Sequence, residues 1–237
     1  MAETQPVNYL SETMLDRKWH EIWLDVWLHP GEASFGNMLT ERNHSPGRAI
    51  LWVTVTSLIF GVVGSLFFPS MYLDLFTQLF NLNLFAGTRD FKLWLSGVCF
   101  LVSSPILGIL SLVLSSGAYH LASRLFKSRG AWSNLAFCMG AVHAPFTIIS
   151  GLISIPRIIF GNDQSTISLL NCIFSLLSLT VFIYTIVLFT NAIRAAEKVG
   201  TGQAVLTIFI VLLVQIFLGI CFGLLIVLPV ISSTPYR

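Results

Sequence analysis

Apolar positions in this chain fall into five long, almost uncharged runs: Ile50–Phe68, Trp94–Ala118, Leu135–Ile155, Ile167–Ile193 and Ala204–Ile231. A helix rises 1.5 Å per residue, so about 20 apolar residues cross the roughly 30 Å hydrocarbon core of a bilayer. Every run is long enough, which predicts five transmembrane helices. Charges punctuate them. The first run follows Arg48 and ends at Pro69, the second closes before Arg124, and the fourth lies between Asp163 and Arg194. No charge falls between Lys198 and Arg237.

Two further segments carry a one-sided pattern. From Leu15 to Leu28, Trp19, Trp23 and Trp27 recur every four residues, and Ile22 and Val26 fill the same helical face. Tryptophan favours the headgroup region, where its ring and its N–H are both accommodated, so this reads as an interfacial anchor stopped by His29-Pro30-Gly31. The alternative is that these rings pack on the protein's own spans. In Met71–Phe85, Leu75, Phe76, Leu79 and Phe80 share a face, while Asp74, Gln78 and Asn81 make a sixth span a poor fit. An outer-surface or shallow re-entrant helix suits it better. The expected fold is all-α, a polytopic membrane helix bundle of five transmembrane helices plus amphipathic interfacial helices. It divides into an N-terminal arm over 1–48, a membrane domain over 49–232 and a tail over 233–237.

Composition supports this pattern. The chain is 55% apolar and 10% charged, with mean hydropathy +0.81. Soluble domains carry about 25% charged residues, so lipid must face many of these side chains. A net charge of +2, without a basic stripe, gives no sign of nucleic-acid binding. Cys99, Cys138, Cys172 and Cys221 lie in different runs without metal-ligand spacing and are expected as buried thiols. The N-terminus has no apolar segment after a basic start, so the first span is expected to serve as an uncleaved anchor.

Orientation follows from Lys and Arg on alternate sides. Nine lie on the N-terminal side (Arg17, Lys18, Arg42, Arg48, Arg124, Lys127, Arg129, Arg194 and Lys198) and four on the other (Arg89, Lys92, Arg157 and Arg237). The expected topology is N-terminus in the cytoplasm and C-terminus outside.

Within the spans, small residues at four-residue spacing allow close helix approach: Gly219 and Gly223, Ala136 with Gly140 and Ala144, and Ser104 with Gly108. They suit packing inside one bundle or between protomers. Pro105 and Pro145 each remove a helical hydrogen bond, with Ser103, Ser104 and Thr147 placed to supply hydroxyls. His143 is the only ionisable residue well inside a span and is therefore a functional candidate. Haem ligation would need a second histidine at its depth; His120 stands at the inner end of the second span, about 12 Å away along the normal. A neutral histidine bonded to another helix is the simpler reading. Gly200-Thr201-Gly202 lacks the third glycine and the preceding strand of a dinucleotide site. No paired carboxylates, HExxH or GxSxG occur, so neither an enzyme nor a cofactor is expected.

Three segments carry a family resemblance. These are Trp23-Leu24-Asp25-Val26-Trp27-Leu28-His29-Pro30 with Phe35; Leu121-Ala122-Ser123-Arg124-Leu125-Phe126-Lys127-Ser128-Arg129-Gly130 leading to Ala144-Pro145; and Asn191 through Val205. In their order and spacing they resemble the Yip family, the Ypt/Rab-interacting membrane proteins, in its bacterial form. The resemblance implies a five-helix domain without known catalytic chemistry, placed in the bacterial plasma (inner) membrane. The long N-terminal region and Asp-Tyr signature of eukaryotic relatives are absent, so their binding of small GTPases is not implied. The expected function is a non-enzymatic membrane scaffold or adaptor, touching the lipid bilayer and another membrane protein or a second copy. Arg124, Lys127, Arg129, Arg194 and Lys198 would form its inner basic surface. The alternative is a small transporter subunit with a path past His143 between the kinked second and third spans.

Overall fold

A computed structural model describes residues 17–41, 44–67, 88–159 and 164–233 of the chain. Among these residues there are seven helices and no strand. The arm contains α1 (Trp19–Leu28) and α2 (Glu32–Leu39); α3 (Pro46–Phe67), α4 (Arg89–Arg124), α5 (Trp132–Ile159), α6 (Gln164–Glu197) and α7 (Thr201–Ser233) follow. The last five are each long and apolar enough to cross a membrane, as the five runs predict. The amphipathic segment 71–85 lies outside the described residues.

The helices outrun the apolar stretches because capping, not hydropathy, stops a helix. Pro46 opens α3 in a position where its missing N–H costs nothing, and Ser45 Oγ accepts the Arg48 N–H at 3.2 Å. Thr88 caps α4 by accepting from Phe91 N at 3.4 Å. Just past the ends of α4 and α6, Lys127 (φ 58°) and Lys198 (φ 55°) adopt the left-handed conformation that usually falls to glycine. In the arm, α1 starts at Trp19, with the Glu21 carboxylate accepting the Lys18 N–H at 3.0 Å, and ends before His29-Pro30-Gly31 as expected. The sequence pattern did not reveal α2. It is eight residues long, too short for a convincing period, yet it buries Phe35 and Met38 completely.

α3 packs against α4 and α5, α5 also meets α4, α6 and both arm helices, and α7 leans on α4 and α6. The central helix is α5: half of its most apolar window is buried, against 11% for α6. Small residues decide how close the axes come. A Cβ on Gly140 would meet Ala49 Cβ at 2.6 Å, one on Gly61 would meet Ser104 Oγ at 2.2 Å, and one on Gly108 would meet Ser57 Oγ at 2.2 Å. Ala136 and Ala144 are buried in the same core. Ser104 Oγ also donates to Leu101 O at 3.2 Å, the carbonyl whose helical partner Pro105 removes. Thr147 does not do this for Pro145; its hydroxyl donates to His143 O at 2.9 Å. The thiol expectation needs correction. Only Cys138 is buried, while Cys99 and Cys172 are exposed on the lipid-facing sides of thinly packed helices.

Candidate functional site

Because the spans alternate in direction, the arm, the loop after α4 and the turn between α6 and α7 all gather at one end of the bundle. Most of the chain's charge lies there. Two polar networks organise this end.

The first clamps the arm. Glu41 is 5% exposed, and a buried carboxylate needs charge and hydrogen-bond partners for both oxygens. Arg17 Nε reaches Oε1 at 2.6 Å and Arg48 Nη1 reaches Oε2 at 3.4 Å. Arg17 also pairs with Asp25 at 2.8 Å, and Arg48 donates to Arg17 O at 2.7 Å while lying 5.3 Å over the Trp52 ring. Burial works against the Arg17 charge, but hydrogen bonds to Asp25 and Glu41 outweigh it and hold this guanidinium above its ordinary value. On the other flank of the arm, Arg194 pairs with Glu32 at 2.5 Å. Asn191 Nδ2 donates to Pro30 O at 2.6 Å, and the Tyr184 hydroxyl donates to Trp27 O. The arm is thus fastened to α3 close by in sequence and to α6 across more than 150 residues.

The second network latches the loop after α4. Glu197 is fully buried at the end of α6, and its Oε1 lies 2.6 Å from His120 Nδ1 on α4. Arg124 Nη2 stands 3.5 Å from His120 Nε2, and the same guanidinium donates to Ser128 O and Gly130 O, both at 3.1 Å. Since a guanidinium only donates, Nε2 faces it with a lone pair, and Nδ1–H points to Glu197. Gly130 makes the closure possible: a Cβ there would lie 2.2 Å from Ala196 O and 2.5 Å from Glu197 Cα. The Glu–His pair has the parts of a general-base unit, but its free nitrogen meets Arg124 in place of any nucleophile. These contacts hold the loop after α4 against the end of α6. Among the described residues, Glu197 Oε2, Ser123 Oγ and Ser128 Oγ are buried with no hydrogen-bond partner.

These networks divide the five cations of the expected basic surface. Arg124 and Arg194 are spent on folding contacts. Lys127, Arg129 and Lys198 are exposed, and among the described residues no carboxylate pairs with them. The contact of Gly130 with Ala196 and Glu197 sets Arg129 and Lys198 on neighbouring strands of backbone, with Lys127 two residues further along the loop.

The other candidate residues are dispersed. Trp19 is 52% exposed, whereas Trp23 and Trp27 are partly buried over the core, where Ile22 and Val26 are inaccessible. The α1 helix therefore turns its aliphatic stripe to α5 and its first tryptophan outward. His143 and Pro145 sit partly buried in α5 beside Val142 and Ala144, and Pro105 lies partly buried in α4. Gly140 is within the α3–α5 contact, but a Cβ on Gly219 would meet nothing; Gly223 lies one turn further along α7. Among the described residues no cluster of His, Cys, Asp and Glu could hold a metal. Sequence reasoning missed Glu41 and Glu197. Their signal was present: Glu41 stands in the short stretch between Arg17 and Arg48 before the first apolar run, and Glu197 at the end of the fourth between Arg194 and Lys198.

Comparison with curated proteins and with solved structures gives no match. The family model for the Yip1 domain matches residues 24–223. That range starts within the arm's tryptophan helix and runs through α3–α6 into α7, taking in the latch and all of the clamp but Arg17, and the chain belongs to the Yip1-domain family of multi-pass membrane proteins.

Proposed function

We propose that the protein is a non-enzymatic scaffold or adaptor of the membrane, with its arm end in the cytoplasm and Lys127, Arg129 and Lys198 as the surface that meets an acidic partner. One observation carries this reading. At the end where charge gathers, Arg17, Arg48 and Arg194 pair with carboxylates and Arg124 bonds to loop carbonyls, while Lys127, Arg129 and Lys198 stay on the surface beside the loop that the Glu197–His120–Arg124 latch holds. A cation near an anionic membrane surface contributes about 1 kcal/mol. Three acting together give about 3 kcal/mol, or roughly 150-fold in affinity. The bland reading, in which each of these residues merely obeys the inside-positive rule, predicts no loss of association when all three are neutralised.

The experiment is purification in gentle detergent of the wild type and of the Lys127→Gln, Arg129→Gln, Lys198→Gln triple variant, followed by mass spectrometry of retained lipids and proteins. Loss of an anionic lipid from the variant identifies headgroups as the acidic partner, and loss of a protein identifies an adaptor contact. A wild-type monomer carrying neither refutes the proposal. A reporter enzyme fused after Arg237 tests orientation, and activity on the cytoplasmic side would overturn it. The transporter alternative needs a polar path near His143. The grooves flanking α5 at Ile148 are instead walled mainly by Leu51, Val55, Ile59 and Phe60, which favours the scaffold.

A further inference from the structure

A furrow runs down the side of the bundle between α3 and α5, beginning beneath the arm. Gly140 of α5 lies against Ala49 of α3, and Gly151 lies against Phe60. From the first pair to the second is a step of eleven residues on each helix, so α3 and α5 run parallel and in register. Arg48, Leu51, Val55 and Ile59 form the α3 wall, Ile148 of α5 stands at the deep end, and Trp19 and Trp23 of the arm flank the mouth. Leu51, Val55 and Ile59 are exposed, so the furrow opens sideways to the bilayer.

Its two ends differ in chemistry. Among the described residues that line it, Arg48 alone is charged. This guanidinium is already fixed: it donates to Arg17 O at 2.7 Å, reaches Glu41 Oε2 at 3.4 Å and lies 5.3 Å over the Trp52 ring. A guanidinium has about five N–H donors, and the rest of these have no partner among the described residues. Glu41 is buried and does not line the furrow, so the mouth presents the cation. Beyond it the walls are apolar, and the Thr56 hydroxyl among them is spent on Trp52 O at 3.0 Å. From Arg48 to Ile59 the wall is about 16 Å long, half of a roughly 30 Å hydrocarbon core, or one leaflet. A volume of 330 Å³ over that length gives a mean section of about 20 Å². A helix about 10 Å across would need about 80 Å². The furrow fits one extended hydrocarbon chain and is too narrow for a helix.

We infer that the furrow binds one glycerophospholipid from the leaflet on the arm side, with its phosphodiester on Arg48 and one acyl chain along Leu51, Val55 and Ile59. Charge and length together select this occupant. A hydrocarbon chain alone leaves the guanidinium unused, and a free phosphate leaves the apolar walls unused. The open donors of Arg48 suit phosphate oxygens, which take short, charge-assisted bonds from a guanidinium. Indole rings such as Trp19 and Trp23 favour the depth at which a headgroup lies. Because Arg48 is held in place before lipid arrives, little side-chain freedom is lost on binding. The site shares no residue with the patch of Lys127, Arg129 and Lys198.

Native mass spectrometry of the full chain in dodecyl maltoside tests this, counting bound lipid as dioleoylphosphatidylglycerol is added. The wild type should retain one lipid that Val55→Trp weakens at least about tenfold, because an indole there fills the furrow and displaces buried methylenes. Val55 is exposed and takes no part in the clamp, so this variant should melt with the wild type. Leu58→Trp, exposed on α3 but off the furrow, should bind lipid as the wild type does. The Lys127→Gln, Arg129→Gln, Lys198→Gln triple variant should keep the lipid that Val55→Trp releases, which separates this site from the basic patch. Arg48→Gln should weaken binding about tenfold or more, the loss of a charge-assisted hydrogen bond. Dioleoylglycerol, with the same chains and no phosphate, should bind more weakly by the same factor, and inorganic phosphate should not displace the lipid. Binding that Val55→Trp or Arg48→Gln leaves unchanged, equal weakening by Leu58→Trp, equal affinity for dioleoylglycerol, displacement by inorganic phosphate, or a retained protein in the lipid's place would each overturn the inference.

Discussion

Gly130→Ala is the sharpest test of the latch. In the folded protein the new methyl would lie 2.2 Å from Ala196 O, 2.5 Å from Glu197 Cα and 2.8 Å from Glu197 Oε2. Ordinary van der Waals contact begins near 3.4 Å, and two of these three atoms are backbone at the end of a long helix, so the loop must move by about 1 Å or more. Forcing a methyl into a filled site costs about 1–3 kcal/mol. The shift also strains the two bonds from Arg124 to the loop carbonyls, each charge-assisted and worth about 1.5–3 kcal/mol when intact. With partial relaxation, a total of about 2–4 kcal/mol is expected. For a chain of this size that lowers the melting temperature by about 4–16 °C, which can be followed in detergent by the reaction of buried Cys138 with a thiol-reactive dye. Gly219→Ala is the control, since its methyl meets nothing. If Gly130→Ala melts with the wild type, the close approach of loop and helix is wrong and the patch loses its support.

Glu41→Ala leaves Arg17 and Arg48 without their shared carboxylate. A buried pair broken on one side costs about 3–5 kcal/mol; the two guanidinium groups retain about a fifth of their exposure, so about 2–3 kcal/mol is expected, seen as faster hydrogen exchange over α1 and α2. Because the Arg17 pKa is raised above its ordinary value by its bonds to Asp25 and Glu41, its contribution is complete below that ordinary value and disappears only as pH rises through the folded one. In the wild type this group should therefore impose no slope on arm protection between about pH 7 and about pH 10, and a loss of protection there would contradict the clamp. Lys198→Gly should separate fold from surface. It relieves a left-handed backbone that costs a side chain about 1–2 kcal/mol, raising the melting temperature, while removing one cation and weakening binding to anionic headgroups about fivefold. His143→Gln should leave the bundle folded, with a circular dichroism melt close to that of the wild type, because an amide can replace a neutral ring as a hydrogen-bonding group; collapse of the fold would show that the imidazole itself is required.

Much of the architecture was legible before any coordinates. Transfer into lipid sums residue by residue, so Ile50–Phe68 and Ala204–Ile231 declare themselves as spans wherever they pack. Their ends were less legible: α4 runs on to Arg124 and α6 to Glu197 because backbone hydrogen bonding continues past the apolar run until a left-handed residue breaks it. The glycines looked alike in sequence, yet Gly140 is pressed on Ala49 while Gly219 faces open space.

The sequence alone determined the five crossings, the gathering of charge at one end and the tryptophan-rich helix before the first span, because hydropathy, charge count and helical period are local properties. Tertiary structure alone decided which charges are spent and which remain free. His120 and Glu197 are 77 residues apart, and Arg17 and Glu41 24 apart. An ion pair depends on which helix ends meet and at what height, and that geometry exists only once α4, α5 and α6 have packed.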